Sequence, residues 1–247
     1  MKRILSWQAL LGAALLALSA LFYYLHYLIF RDAHHIFLYL IGDIAFLFVE
    51  VLIVTLILHK LLNAREKRSM LKKMNMVIGA FFSEVGIELI RRIRAFDSSS
   101  ESMAGHMMVN KDWTRKKFVK MRAAVERCAC SVDCRRSDIK NLRDFLVSKR
   151  AFLLALLENP NLLEHESFTN LLWAVFHLME ELTSRTEFSG LPQTDYDHLA
   201  GDIRRVEGLL NSEWLGYMAH LQSDYPYLFS LAVRMNPFDA NASAIVK

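Results

Sequence analysis

Four prolines and nine glycines in 247 residues are too few for a sandwich or barrel built from many short strands and tight turns. The three cysteines, Cys128, Cys130 and Cys134, form one C-x-C-x3-C cluster, which is not the framework of a disulfide scaffold. Common catalytic signatures are missing too. There is no glycine-rich phosphate loop, no His-Glu-x-x-His, no Gly-x-Ser-x-Gly elbow and no kinase or GTPase motif. These absences argue against an ordinary ATPase, dinucleotide enzyme, zincin or serine hydrolase, and the chain is expected not to be an enzyme. A Thr-Val-Gly-Tyr-Gly filter is absent as well, so a known type of potassium channel is unsupported. What is abundant is apolar: hydrophobic residues make up 53% of the chain, too many for disorder.

The apolar residues are unevenly spread. Ile4 to Phe30 contains no Asp, Glu, Lys or Arg, and a second apolar run extends from Ile36 to Leu62. At 1.5 Å rise per residue each run reaches roughly 40 Å, enough to cross a hydrocarbon core of about 30 Å with tilt. A cleaved signal peptide is the rival reading of the first run, since Met1-Lys2-Arg3 is basic and Ala17-Leu18-Ser19-Ala20 offers small residues. The run continues past that site through Leu21 to Leu25, which favours a retained span. The short connection Arg31 to His35 permits only a tight antiparallel hairpin. Lys2 and Arg3 precede the hairpin, and Lys60, Arg65, Lys67, Arg68, Lys72 and Lys73 follow it, against the single Arg31 in the connection. By the distribution of Lys and Arg, both termini are expected in the cytoplasm, at the inner (plasma) membrane, with the six basic residues near lipid headgroups.

Two carboxylates interrupt the second run. Asp43 and Glu50 are seven residues apart and share a helical face with Tyr39. Antiparallel pairing places Asp43 opposite Tyr23 and Tyr24, and Glu50 opposite Leu16 and Ala17. A charge at mid-span costs about 2.5–3.5 kcal/mol on insertion scales, so such groups need a partner, a cavity or a water path. They either fix helix packing as protonated or hydrogen-bonded groups, or line an oligomeric ion or proton pathway. Gly12, Ala13, Ala17 and Ala20 permit close helix approach and suggest a homo-oligomer. His34 and His35 mark the outer interface, where a wetted boundary accounts for them better than a metal or pH-sensing role.

The remainder reads as helical. Residues 63–97 form a juxtamembrane amphipathic helix with apolar positions at Met70, Met74, Val77, Phe81, Val85, Leu89 and Ile93. Residues 98–110, with Ser98-Ser99-Ser100 and Gly105, read as a flexible connection. Residues 111–247 carry helices over Lys111–Cys130, Ser137–Glu158, Leu163–Ser184, Thr194–Asp224 and Tyr227–Arg234. The expected fold class is all-α: a two-helix transmembrane hairpin over residues 1–62 followed by a cytoplasmic helical bundle. Charge is segregated in that bundle. Residues 111–150 hold 13 Lys and Arg against 5 Asp and Glu, whereas residues 151–247 hold 5 against 13. Without a groove-reading motif or interleaved aromatics beyond Trp113 and Phe118, nucleic acid is an unlikely partner.

Two side-chain clusters suit a metal, although no cofactor is expected in the first instance. Three thiolates from Cys128, Cys130 and Cys134 plus a histidine could hold zinc, provided the segment is not one continuous helix. The second cluster combines His177, Glu180 and Glu181 on one helix with Asp195, Asp197, His198 and Asp202 on the next. Within it His177, Glu181, His198 and Asp202 are the candidate ligands for zinc or another transition metal. Polar residues at helix surfaces and helix ends explain most of this second set without a metal.

The stretches Arg31-Asp32-Ala33-His34-His35-Ile36-Phe37 through Ile44-Ala45-Phe46-Leu47, and Tyr225-Pro226-Tyr227-Leu228-Phe229-Ser230-Leu231 through Asn236-Pro237-Phe238, resemble an uncharacterised family of prokaryotic two-span membrane proteins. The resemblance implies a bacterial or archaeal inner-membrane protein and carries no activity, cofactor or site residue with it. The leading expectation is an inner-membrane-anchored helical module with a cytoplasmic partner-binding or signal-sensing role. The alternatives are a small oligomeric channel or proton pathway lined by Asp43 and Glu50, and a metal-binding bundle.

Overall fold

A computed structural model describes residues 2–98, 100–127, 131–160, 162 and 165–246. The protein is all-helical. Among the described residues there is no strand, only one isolated bridge between Asp97 and Val132. The chain divides into two units, Met1–Glu66 and Lys67–Lys247.

The first unit is a helical hairpin. Helix α1 (Lys2–Phe30) is followed after two residues by α2 (Ala33–Phe81), which extends beyond the unit's boundary. The turn is shorter than the five-residue connection expected from the apolar pattern, and Asp32 is the reason. Its Oδ1 accepts hydrogen bonds from the backbone N–H groups of His34 at 2.9 Å and His35 at 3.3 Å, so it caps α2 and brings both histidines into the helix. Arg31 takes the left-handed conformation at φ 52° and donates its N–H to the Tyr27 carbonyl at 2.8 Å, closing α1. Ala9–Phe30 and Ala33–Glu66 are each long and apolar enough to cross a membrane. None of the described side chains between residues 7 and 66 is buried.

The second unit has its own core, centred on the 32-residue α9 (Gln193–Asp224). Leu199, Ile203, Val206, Leu210, Trp214 and Met218 recur at three- and four-residue spacing and are almost fully buried. Around α9 pack α5 (Arg115–Arg127), α8 (Glu166–Thr183) and α10 (Pro226–Arg234). Covered on several sides, α9 also buries Asp202, Glu207, Asn211, Ser212 and Glu213. Such polar burial requires partners: Arg122 on α5 donates to Ser212 Oγ at 2.8 Å and to Glu213 Oε1 at 2.7 Å. This pairing, with Lys149 to Glu84 and Arg150 to Glu180, satisfies part of the basic 111–150 region inside the bundle.

Three local features differ from sequence periodicity. The amphipathic helix over 63–97 is interrupted by a π-helical turn, Phe82–Gly86, before α3 (Ile87–Arg94). The wider turn lets adjacent Phe81 and Phe82 both be buried, Phe81 edge-on to Phe168 at 5.4 Å and Phe82 stacked on Tyr217 at 5.0 Å. Glycine is needed at Gly86, because a Cβ there would lie 2.5 Å from the Phe82 ring.

The connection expected over 98–110 contains a helix, α4 (Ser100–Met107). Met103 and Met107, one turn apart, bury 97% or more of their surface, and Asn236 donates to the Met107 carbonyl at 2.9 Å. Burial of one short face outweighs the loop-like serine and glycine content. The single helix expected over Ser137–Glu158 is two, α6 (Ile139–Ser148) and α7 (Arg150–Leu157). Asp138 caps α6 by accepting from Asn141 N–H at 3.1 Å, and at Lys149 the backbone N–H bonds back to Leu146 at 3.0 Å. Neither proline nor glycine marks that break.

Candidate functional site

The α8 and α9 helices are joined by a loop in which Gly190 takes φ +76° and Tyr196 Oη donates to the Phe188 carbonyl at 2.7 Å. The loop is fastened by Arg185. Its Nε and Nη2 donate to the two Asp195 oxygens at 2.9 and 2.7 Å, and its Nη1 donates to Glu181 Oε2 at 2.8 Å. Arg185 holds both carboxyls below the usual carboxylate range, chiefly through these hydrogen bonds. Their hydrogen bonds in turn hold its own proton more tightly than usual, Asp195's first.

Next to this clamp the two helices present matching pairs. His177 and Glu181 are one turn apart on α8, as are His198 and Asp202 on α9. His198 Nε2 lies 3.5 Å from Glu181 Oε2 and 3.4 Å from Asp202 Oδ2. His177 Nε2 lies 3.6 Å from Asp202 Oδ2 and 3.9 Å from Glu181 Oε1. The ligand atoms of Glu181, His198 and Asp202 all fall within 4.8 Å of one another. Exposure is graded across the site: the side chains of His177 and His198 are 47% and 50% exposed, whereas that of Asp202 is 4% exposed. Arg205 donates to Asp202 Oδ1 at 3.1 Å, while Asp202 Oδ2 is buried and accepts no hydrogen bond.

The structure thus brings His177, Glu181, His198 and Asp202 together. Glu180, on the same helix, turns away to pair with Arg150, and Asp197 accepts from Gln193 at 2.8 Å. Arg185 and Arg205 belong to the site although sequence reasoning passed over them. Their spacings, four residues after Glu181 and three after Asp202, were available signals.

The thiol cluster is placed differently. Cys134 is buried with its Sγ 3.7 Å from the Tyr196 carbonyl, and burial in the first place, with Asp133 adding to it, pushes the thiol up to about 11. Cys128 and Cys130 lie outside the described residues.

In the hairpin, Asp43 and Tyr39 line a cleft of about 480 Å³ with Ser19, Tyr23 and His26. His35 Nδ1 lies 3.5 Å from His26 Nε2, and the His35 ring meets Tyr39 edge-on at 4.6 Å. His34 is exposed at the start of α2. Glu50 is exposed within the hairpin and has no polar partner among the described residues. Lys60, Arg65 and Lys73 are exposed, and the side chains of Lys67, Arg68 and Lys72 lie outside those described.

These features define a class of all-helical protein: two long apolar helices at the N-terminus, then a helical domain bearing a histidine–carboxylate cluster. The chain belongs to the MJ1433 family. Residues 2–62 match the family described as "MJ1433, N-terminal helical domain", and residues 70–234 match "Uncharacterized protein MJ1433, C-terminal helical domain". It is 42% identical over 241 residues to "Uncharacterized protein MJ1433" of Methanocaldococcus jannaschii, covering 98% of this chain and 96% of that relative. No solved structure matches it.

Proposed function

We propose that the protein is a membrane-anchored helical module, not an enzyme, whose two N-terminal spans hold the bundle at the inner face of the membrane to bind a partner or sense a signal there. The observation that carries this reading is the hairpin's surface. Leu16 is 75% exposed, and Phe48 and Ile29 are each 73% exposed. In water that surface would be costly at about 25 cal/mol per Å², whereas in lipid the cost vanishes. Lys60, Arg65, Lys67, Arg68, Lys72 and Lys73 follow the second span and favour a cytoplasmic bundle, near anionic headgroups. Membrane fractionation with reporters fused to either terminus tests this. The reading expects extraction by detergent but not by high salt, with both reporters cytoplasmic; recovery in the soluble fraction would remove the anchor.

Asp43 and Glu50 favour different roles. Asp43 shares its cleft with Ser19, Tyr23 and His26 of α1 and suits helix packing. Glu50 finds no such companion among the described residues, which supports a homo-oligomer that encloses it and, as a second reading, an ion or proton path between copies. Ion flux in liposomes that disappears in Glu50→Gln supports the path. Unchanged flux removes the carboxylate from it, and oligomers lost in the same variant without any flux assign Glu50 to packing.

A further inference from the structure

We propose that Glu181, His198 and Asp202, with His177 beside them as a fourth donor, form a binding site for one divalent transition-metal ion, Zn²⁺ in the first instance, which clamps α8 to α9. The donor set is chemically suited: two imidazoles and two carboxylates are ligands for zinc and its neighbours, and neither helix supplies a complete set alone. Each helix contributes one histidine and one carboxylate at i and i+4, so that all four side chains rise from facing turns of two packed helices.

The spacing is wider than that of direct charge-assisted hydrogen bonds. Charge-assisted N–H···O bonds close to about 2.7–2.9 Å. The histidine–carboxylate separations here are 3.4, 3.5, 3.6 and 3.9 Å. Ligands held tetrahedrally at zinc distances of about 2.0–2.1 Å stand about 3.3–3.4 Å apart, close to the separations of His198 from Asp202 and from Glu181, while His177 stands outside that group of three. Elsewhere in the same cluster, groups that do bond directly are close, as Arg185 to Asp195 at 2.7 Å.

Asp202 gives a second and independent observation. A carboxylate oxygen sequestered from water without a hydrogen-bond donor is disfavoured, and a native fold supplies it with a partner. Asp202 Oδ2 is such an oxygen, and it is the one nearest both His177 and His198. Its other oxygen is already held by Arg205, and Glu181 Oε2 is already held by Arg185. Asp202 Oδ2 is left to the ion, and Glu181 Oε2, 3.5 Å from His198, would be shared between the ion and Arg185, while the arginines orient the two carboxylates from behind. Half-exposed histidines leave the site open on one side, as an exchangeable ion requires.

Full-length protein in detergent, purified without an affinity tag and stripped with a chelator, would be titrated with ZnCl₂ and separately with MgCl₂. The site predicts one equivalent of zinc, no response to magnesium, and a thermal midpoint raised by about 5–10 °C at a hundredfold excess over Kd. Asp202→Asn should weaken zinc binding about tenfold or more, as should His177→Gln combined with His198→Gln. Both histidines are half-exposed, so the double variant should keep the helical circular dichroism of the parent even if Asp202→Asn does not fold. Cobalt substitution should give ligand-field bands without thiolate-to-metal charge transfer. Zinc at well under one equivalent, undiminished affinity in the histidine variant, or a thiolate band that places the ion at the cysteines would each overturn the proposal. The outcome is independent of where the hairpin resides.

Discussion

Phe48 and Phe81 lie on the same helix, yet one is 73% exposed and the other fully buried. The contrast extends through their surroundings. From Trp7 to Glu66 the hairpin displays leucine, isoleucine, valine and phenylalanine on every side, while the unit beginning at Lys67 hides the same residue types in a continuous core. The polar residues are reversed as well. In the hairpin they are few, and one of them, Glu50, has no partner among the described residues; in the bundle Glu213, with its side chain 5% exposed, is paired with Arg122. What separates the two regions is whether their apolar side chains are covered, and this is what makes the proposed anchor the most economical reading of the first unit.

The sharpest way to break the contrast is to truncate equivalent bulk in each region. Trp214→Ala, deep in the α9 core, should cost the bundle about 3–5 kcal/mol by urea unfolding, whereas Leu16→Ala should change bundle stability by no more than about 0.5 kcal/mol. Equal losses would abolish the distinction. Charge insertion comes next. Leu52→Arg, in the middle of the second apolar helix, should disfavour membrane insertion by about 2.5–3.5 kcal/mol in a translocation assay. Trp173→Arg, at a bundle position 57% exposed, should shift the unfolding midpoint little, by about 0.5 kcal/mol or less. Insertion that tolerates Leu52→Arg would count against a span.

Within the bundle, Arg185→Met removes the hydrogen bonds to Asp195 and Glu181 and should cost about 2 kcal/mol at pH 7. Both carboxyls are held below their ordinary range, so the stabilisation is complete above about pH 5 and declines as pH falls through their lowered values in the folded protein. The gap between parent and variant should therefore narrow in acid, and an undiminished gap at pH 2 would mean that Arg185 acts through packing. A smaller loss belongs to the cap of α6: Asp138→Ala should cost about 1 kcal/mol, and a neutral result would show that the Asn141 N–H finds water instead.

Much of the architecture was legible because it rests on local pattern. The apolar runs up to Phe30 and from Ile36 onward, the expected start of α9 at Thr194 against the observed Gln193, and the stop before Pro226 follow from side-chain periodicity and punctuation within single segments. The grouping of His177, Glu181, His198 and Asp202 was legible for the same reason, since two i, i+4 pairs on adjacent helices are visible in one dimension. The role of Glu180 was not: it has the same residue type and neighbourhood as Glu181, but a rotation of one residue, about 100° on a helix, sends it to Arg150.

By itself, then, the sequence determined that the chain is helical, that its first helices carry an apolar surface, and which faces of the later helices are apolar, because these depend on neighbours within a few residues. Only the tertiary structure decided that α4 forms where a loop was expected, that a π-helical turn buries two adjacent phenylalanines, and that the helix over 137–158 breaks at Lys149. It also decided that Asp202 is buried with one oxygen free between two histidines. These depend on which surfaces cross in space, and burial and hydrogen-bond satisfaction are properties of that crossing, not of any one segment.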